Sequence, residues 1–162
     1  QVRLRLAVRG MAGPEEVLGE EPVTRQKLAG MMFPLMEKKD CGTSSCGRNG
    51  GDALNALEAA VKGRFLSSAP DGGLCPDGTV TRQEMATVAM QSCGVNYRNA
   101  SSTMPVCGDV AQVGQNYGTN VARALYFGFM TLEEGDNFCP GRLVSVKEAA
   151  GILDRVADFA GI

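Results

Sequence analysis

The sequence predicts an all-α domain of three helix-loop-helix repeats, packed as a pseudo-threefold bundle around one core. Three observations lead to this prediction. The tetrapeptide Val-Thr-Arg-Gln occurs twice, at 23–26 and at 80–83. The longer segment 57–86 matches 121–150 without a gap. Both long segments read as an apolar helix, a loop rich in turn residues, and a second helix with a capping signal. Such a hairpin cannot bury its apolar face alone, so we expect three copies to share one core.

The composition is that of a folded domain of ordinary size. The chain has 162 residues, of which 44% are hydrophobic and 21% charged, so we expect one domain over 1–162. The net charge is −2 and the chain has no long Lys/Arg cluster, so no nucleic-acid partner is predicted. No apolar run approaches the roughly 18 residues of a membrane-spanning helix. We therefore predict no membrane span.

The first repeat, about 1–40, is predicted to be the least regular of the three. Thr24 is suited to cap its second helix, but Lys27 stands where a capping box needs Glu or Gln. We expect its first helix to be short. We also expect Pro34 to kink or end its second helix.

The second and third repeats, about 41–95 and 107–162, carry the stronger helix signals. Thr81 with Glu84, and Ser145 with Glu148, have the spacing of a capping box at the start of a second helix. We expect the two helices within each repeat to pack as antiparallel-like partners. The expected pairs are 52–66 with 80–93 and 117–130 with 144–160.

These motifs resemble S-layer homology (SLH) repeats. The segments that carry the resemblance are FLSSAPDGGLCPDGTVTRQEMATVAM and GDVAQVGQNYGTNVARALYFGFMTLEEGDNFCPGRLVSVKEAAGILDRV. The family's repeats have a first helix ending in an aromatic-glycine stretch, a loop with Asp-Gly and Pro, and an Ile/Val-Thr-Arg-Ala-Glu helix start. The resemblance covers almost the whole chain as three consecutive repeats. It implies a three-pronged, pseudo-trimeric helical domain.

The resemblance also implies a function and a set of site residues. Such domains anchor surface proteins to a cell-wall polysaccharide with an acidic, often pyruvylated, sugar, bound in grooves between repeats. A non-catalytic, extracellular or cell-surface domain is therefore expected. The motif arginines are Arg25 and Arg82, and Val146 in the third copy predicts a lost or altered groove. The ligand-binding residues implied by the motif are Thr24, Arg25, Gln26, Thr81, Arg82 and Gln83.

Simple electrostatics gives a reason for arginine at these two positions. A helix start carries unpaired N–H groups and partial positive charge, so an arginine there is mildly unfavourable by itself. Together with those N–H groups, a guanidinium can receive a carboxylate or phosphate. If this is its role, Arg82→Ala should leave folding nearly unchanged. The plainer interpretation is that Thr81 and Glu84 only cap the helix and that Arg82 is a solvated surface residue, free to pair with a nearby acid.

An alternative function is a structural subunit of an extracellular assembly, contacting copies of itself or other envelope proteins. The chain has no Trp and only 6% aromatic residues, so stacking surfaces for a sugar are scarce. Tyr97, Tyr117 and Tyr126 are the candidates, and the helical spacing of Tyr126 favours a place in the core.

No enzymatic chemistry is predicted. The chain has no His, which excludes Ser-His and Cys-His nucleophiles. Glu133, Glu134 and Asp136 are interpreted as a solvated acidic loop. The loop before Glu84 has the tail of a calcium-binding pattern, but Gly73 and Cys75 replace its first carboxylates. We therefore predict no metal site and no cofactor.

The cysteines and one asparagine predict covalent modifications. Six cysteines without a zinc-type spacing favour disulfides in an oxidising compartment. Fifteen connectivities are possible, and repeat equivalence suggests the pairs Cys46–Cys75, Cys107–Cys139 and Cys41–Cys93. Asn99 begins an Asn-Ala-Ser glycosylation motif.

Overall fold

The structure is a computed structural model that describes residues 19–39, 53–69, 71–94, 102–105 and 107–161. This part of the chain is all-α, with five α-helices and no strand, which confirms the predicted fold class. The helices are α1 (Arg25–Lys39), α2 (Ala53–Lys62), α3 (Arg82–Ser92), α4 (Gly118–Tyr126) and α5 (Val146–Ala160). Two short 3₁₀ helices cover Val110–Gln112 and Glu134–Asp136. None of the described helices is long and apolar enough to cross a membrane.

The helix starts follow the capping signals, with one exception. Thr81 and Glu84 form a complete capping box on α3, in which the Thr81 backbone N–H donates to the Glu84 carboxylate at 2.7 Å. The Thr24 hydroxyl accepts from the backbone N–H three residues later, at 3.2 Å. The Ser145 hydroxyl likewise accepts from the backbone N–H of Glu148 at 3.2 Å. The Glu148 carboxylate, however, contacts two arginines of the neighbouring structure, so the predicted reciprocal bond of the third box is wrong.

Helix α1 continues beyond Pro34 to Lys39, so of the two expected effects, a kink or an end, proline does not end the helix, and the kink stays a prediction. Proline removes one intrahelical hydrogen bond and crowds the preceding turn. The residues around it bury their side chains in the core, and tertiary packing supplies most of a helix's stability in a folded protein. These buried neighbours are Met31, Met32, Leu35 and Met36.

The helices pair between repeats and not within them. Helix α1 packs against α2, and α3 packs against α4, while the described backbone shows no contact between α2 and α3 or between α4 and α5. The predicted partners within a repeat were therefore wrong. The long loop after α2 forms hydrogen bonds with the start of α1, and it leads the chain away from α2 before α3 begins. The loop after α4 forms the equivalent hydrogen bonds with the start of α3. Helix α5 contacts both α1 and α3.

The starts of α1, α3 and α5 are joined by a recurring set of backbone hydrogen bonds. The first two N–H groups of each helix donate to two loop carbonyls of another repeat, at 2.8–3.2 Å. The accepting pairs are Gly78 and Pro76 for α1, Arg142 and Pro140 for α3, and Glu21 and Gly19 for α5. Three equivalent units would make such a closed cycle of contacts. The complete three-repeat arrangement stays a prediction, because 1–18, where the first helix of the first repeat is predicted, lies outside the described residues.

The loops after α2 and α4 adopt the same unusual backbone conformation at positions 64 residues apart. Positive φ angles occur at Arg64 and Gly128, at Gly72 and Asp136, and at Cys75 and Cys139. Non-glycine residues seldom adopt this left-handed conformation, so its recurrence is informative. The gap-free match between these two segments therefore extends from sequence to backbone.

Candidate anion-binding grooves

Arg25 is buried at the start of α1 and is held by the loop after α2. Only 8% of the residue is exposed. Its Nε donates to the Leu74 carbonyl oxygen at 3.0 Å, and its Nη2 donates to the Ser67 carbonyl oxygen. We call the space between this guanidinium and the 67–78 loop the first groove.

Arg82 occupies the equivalent place at the start of α3, where only 4% of it is exposed. Its Nε donates to the Phe138 carbonyl oxygen and its Nη2 to the Thr131 carbonyl oxygen, both at 2.7 Å. These two carbonyls lie 64 positions after those that hold Arg25. The guanidinium also lies 4.9 Å from the centre of the Phe138 ring, within cation–π range. We call the space beside the 131–142 loop the second groove.

This geometry corrects two expectations from the sequence. The helix starts have no free N–H groups for an anion, because the first two donate to loop carbonyls and the third donates to the capping side chain. Arg82 pairs with acids, as the plainer interpretation allows, but it is buried and not solvated. Its burial predicts that Arg82→Ala lowers stability, because removal would leave the carbonyl oxygens of Phe138 and Thr131 without this donor.

The second groove is filled by carboxylates of the protein itself. Arg82 Nη1 lies 2.5 Å from Glu148 Oε1 and 3.5 Å from Glu133 Oε1. Arg142 Nη2 also contacts both carboxylates, and it lies 2.9 Å from each oxygen of Glu148. Two arginines and two glutamates thus neutralise each other in one cluster.

The charges of this cluster also shift the pKa values of Glu133 and Arg142. Burial by itself would raise the pKa of Glu133. The hydrogen bond from Arg142 and the charges of Arg82 and Arg142 outweigh burial and hold this pKa below its usual value. Burial alone would lower the pKa of Arg142, but the hydrogen bonds to Glu133 and Glu148 keep it above its usual value. Glu133 and Arg142 are therefore both ionised near neutral pH.

The first groove lacks these charges. Ala69 and Gly78 stand at the positions that correspond to Glu133 and Arg142. Arg25 forms no ion pair with any residue that the structure describes. A Cβ built on Gly78 would lie 3.1 Å from Arg25 Cδ, so only the absence of a side chain allows this close approach.

A small cavity opens beside Arg25. Its enclosed space is about 10 Å³, roughly the room that one water-sized group needs. Its polar and aromatic lining includes Ser67, Glu84, Thr87 and Tyr117. Tyr117 is half-buried here, so one of the three predicted stacking candidates does lie at a groove. Tyr126 is 63% exposed, which contradicts its expected place in the core, and Tyr97 lies outside the described residues.

The remaining predicted ligand residues serve the protein's own contacts. Thr24 and Thr81 cap their helices. The Gln83 side-chain oxygen accepts from the Gly114 N–H at 3.0 Å, and Gln26 is half-buried at the start of α1. Val146 is fully buried, so it offers no group to a ligand at the third helix start.

The described cysteines are free thiols. Cys107 and Cys139 do not form their predicted disulfide, and Cys75 and Cys93 are also free. Cys41 and Cys46, which complete the other two predicted pairs, lie outside the described residues, as does Asn99.

The loop that holds the thiol of Cys107 is organised by Asp109, a buried carboxylate. It accepts from the backbone N–H groups of Phe138 and Cys139 at 2.8 and 2.6 Å. Burial would raise the pKa of Asp109, but these hydrogen bonds outweigh it and lower the pKa. Burial, and then the hydrogen bond to Asp109, raises the pKa of the Cys107 thiol, so this thiol stays protonated and weakly nucleophilic.

Sequence reasoning missed the roles of Glu133 and Arg142. Glu133 was grouped with Glu134 and Asp136 as a solvated acidic loop, yet only the latter two are exposed. The missed signal was the 64-residue match, which pairs an acid and a base in the third copy with two small residues in the second. Within the described residues, no group of three or more His, Cys, Asp or Glu side chains could hold a metal ion.

No protein-family model matches the chain, and the search of curated proteins also gave no match.

Proposed function

We propose that the chain is a non-catalytic, SLH-like domain of the cell surface that binds an acidic cell-envelope glycan, with a pyruvylated polysaccharide as one such ligand. One observation carries the proposal. Arg25 is 8% exposed and has no carboxylate partner in the described structure, whereas its counterpart Arg82 has two. The first groove is therefore the candidate binding site.

The positive charge of Arg25 is buried without a counter-ion among the described residues. Buried charges in proteins are normally paired, because removing an ion from water costs several kcal/mol when no counter-ion compensates it. Two carbonyl hydrogen bonds stabilise the Arg25 guanidinium, but they supply no net negative charge. A carboxylate from a ligand would supply it and would form a charge-assisted hydrogen bond.

The form of the cavity favours a carboxylate on a larger molecule. About 10 Å³ admits one water-sized group, such as a single carboxylate oxygen, but not a whole sugar ring. Tyr117 lines the cavity and can offer an aromatic face to the sugar ring that carries the carboxylate. A carboxylate attached to a sugar, such as a pyruvate ketal, has this shape.

The test compares the two arginines by conservative substitution. Arg25→Lys keeps the positive charge but loses the planar fork, so affinity for purified acidic wall polysaccharide should fall about tenfold or more. Arg82→Lys is the matched control, and it should change affinity little because its groove is occupied. Tyr117→Leu should also weaken binding, with Tyr126→Leu as its control. Calorimetry and melting curves on all four variants separate binding from folding. Equal affinity of wild type and Arg25→Lys would exclude the first groove as the site.

A structural subunit that assembles with copies of itself is the second candidate. The observation in its favour is an aromatic patch of Tyr126, Phe127 and Phe159 near the ends of α4 and α5. Tyr126 is 63% exposed and Phe159 is 42% exposed, and both rings pack against Phe127 at centroid distances of 5.2 and 5.1 Å. Concentration-dependent assembly that Tyr126→Ser abolishes, without glycan binding, would favour this alternative.

A further inference from the structure

We infer that Glu148 is a built-in occupant of the second groove, and that the domain therefore has one anion site where the sequence predicts two. The Glu148 carboxylate takes the position at Arg82 that an acidic ligand takes at Arg25. This inference rests on the proposed function. It goes further by identifying the groove that is open to a ligand and the residues that fill the other groove.

Two glutamates occupy the same position at the start of their helices. Glu84 and Glu148 are each the third residue of their helix, three places after the capping residue. Glu84 accepts from the Thr81 N–H and hydroxyl at 2.7 and 2.9 Å, so it stays within its own helix start. Glu148 contacts Arg82 of another repeat instead, at 2.5 Å. The same residue type thus has a local role in one copy and a groove-filling role in the other.

The neighbours of the two glutamates explain the difference. Arg142 holds Glu148 with one nitrogen at 2.9 Å from both carboxylate oxygens, and the corresponding position in the second copy is Gly78. Glu133 adds a second carboxylate to the groove, and its counterpart is Ala69. The groove beside Arg25 therefore has no counterpart of Glu133 to pair with the guanidinium. It also has no counterpart of Arg142 to attract the Glu84 carboxylate away from its own helix start.

The charge balance then decides which groove accepts an anion. In the second groove an incoming carboxylate would have to displace Glu148 from two arginines, and it would approach Glu133, which carries like charge. Juxtaposed like charges disfavour binding by several kcal/mol. The first groove is also lined by one carboxylate, Glu84, but this accepts two hydrogen bonds within its capping box, and Ala69 stands where the second groove has a second acid. With Val146 at the third helix start, one groove of three keeps an available arginine.

The experiment counts binding sites with a synthetic hexose that carries a pyruvate ketal. Calorimetry gives the number of sites, and amide NMR shifts locate them. The wild type should bind one equivalent, with shifts at Ser67 and Leu74. The double variant Glu133→Gln/Glu148→Gln, which frees two arginines, should bind a second equivalent, with new shifts at Thr131 and Phe138. Glu134→Gln is the control for charge alone and should keep one site.

A second variant, which adds an acid to the first groove, tests the inference even if the double variant folds poorly. Ala69→Glu places a carboxylate in the first groove at the position of Glu133. It should pair with Arg25 and weaken the wild-type site at least tenfold. Ala69→Gln is its uncharged control and should bind more tightly than Ala69→Glu.

The outcomes separate this inference from the proposed function. Two sites in the wild type, or one site in both the wild type and a folded double variant, would overturn the inference and leave glycan binding intact. No site in the wild type but one in the double variant would overturn binding at Arg25 and support Glu148 as the occupant. No binding by either protein would overturn both. Ala69→Glu that binds as tightly as Ala69→Gln also counts against the inference.

Discussion

Arg25 and Arg82 are the same residue at equivalent positions, yet their electrostatic surroundings differ. Both donate to two loop carbonyls, and both are almost fully buried. Arg82 alone gains two carboxylates, which come from residues 51 and 66 positions further along the chain. Each arginine therefore joins its helix start to a distant loop, and of the two only Arg82 has carboxylate partners among the described residues.

The structural role of Arg82 leads to a prediction for stability. Arg82→Ala should lower the free energy of unfolding by about 3 kcal/mol, because it leaves Glu148 without its buried partner and two carbonyls without a donor. Arg142→Ala removes an arginine from the same cluster and is the matched control. Since the Arg142 side chain is 40% exposed, its loss should cost about 1 kcal/mol or less.

Urea unfolding of the two variants and the wild type measures both values. Equal losses in the two variants would contradict the view that Arg82 acts through burial. A loss below about 1 kcal/mol for Arg82→Ala would restore the earlier idea of a solvated arginine.

At the scale of elements, two glycines, one inside a helix and one at a helix end, have opposite conformational roles. Gly30 lies exposed within α1, and a Cβ there would meet nothing within 4 Å. Gly161 ends α5 in the left-handed conformation, with φ of 70°. The same change to alanine should therefore have opposite effects at these two places.

We expect Gly30→Ala to stabilise the domain by about 0.5–1 kcal/mol, because alanine loses less backbone entropy in a helix. Gly161→Ala should destabilise it by about 1 kcal/mol, because a Cβ is unfavourable at positive φ. Thermal unfolding of both variants checks the pair. A destabilising Gly30→Ala would mean that the described surface of α1 is covered by another part of the chain.

At the scale of the whole molecule, the described helices are joined where α1, α3 and α5 begin. Loop carbonyls distant in the chain accept from each of these helix starts, and those for α5 belong to Gly19 and Glu21. Ionised carboxylates stabilise the same loops, through Asp109 on the backbone and through Glu133 on two arginines. The stability of the assembled domain should therefore depend on pH.

The expected direction follows from the lowered pKa values of Asp109 and Glu133. In the unfolded chain these carboxyls take up protons at a higher pH than they do in the folded protein. Their contribution is therefore complete above their ordinary pKa values, near 4, and is lost as the pH falls through the lower folded values. The free energy of unfolding should be flat from about pH 7 to 5 and fall below about pH 4.

Urea unfolding between pH 7 and 3 measures this dependence. Glu133→Gln should be less stable at pH 7 and should lose less on acidification than the wild type. Glu134→Gln, an exposed neighbour that forms no ion pair among the described residues, is the control and should follow the wild-type curve. A Glu133→Gln curve parallel to the wild type would show that this carboxylate does not contribute.

The sequence by itself determined the features that depend on nearby residues. Thr81 and Glu84 predicted the start of α3 because a capping box needs only four residues in order. The all-α class followed from apolar periodicity and from loops rich in Gly and Pro. The 64-residue match also predicted which loop positions are equivalent, and Cys75 and Cys139 do share a left-handed backbone.

Only the tertiary structure decided which distant groups meet. The pairing of α1 with α2, and of α3 with α4, depends on where long loops lead the chain, which periodicity within one helix does not contain. Glu148 has the sequence position of a capping residue, but its carboxylate contacts Arg82 and Arg142 because two charged guanidinium groups attract it more strongly than one uncharged backbone N–H. Whether an arginine is open to a ligand is thus a property of its neighbours in space, and the motif that contains it is the same in both repeats.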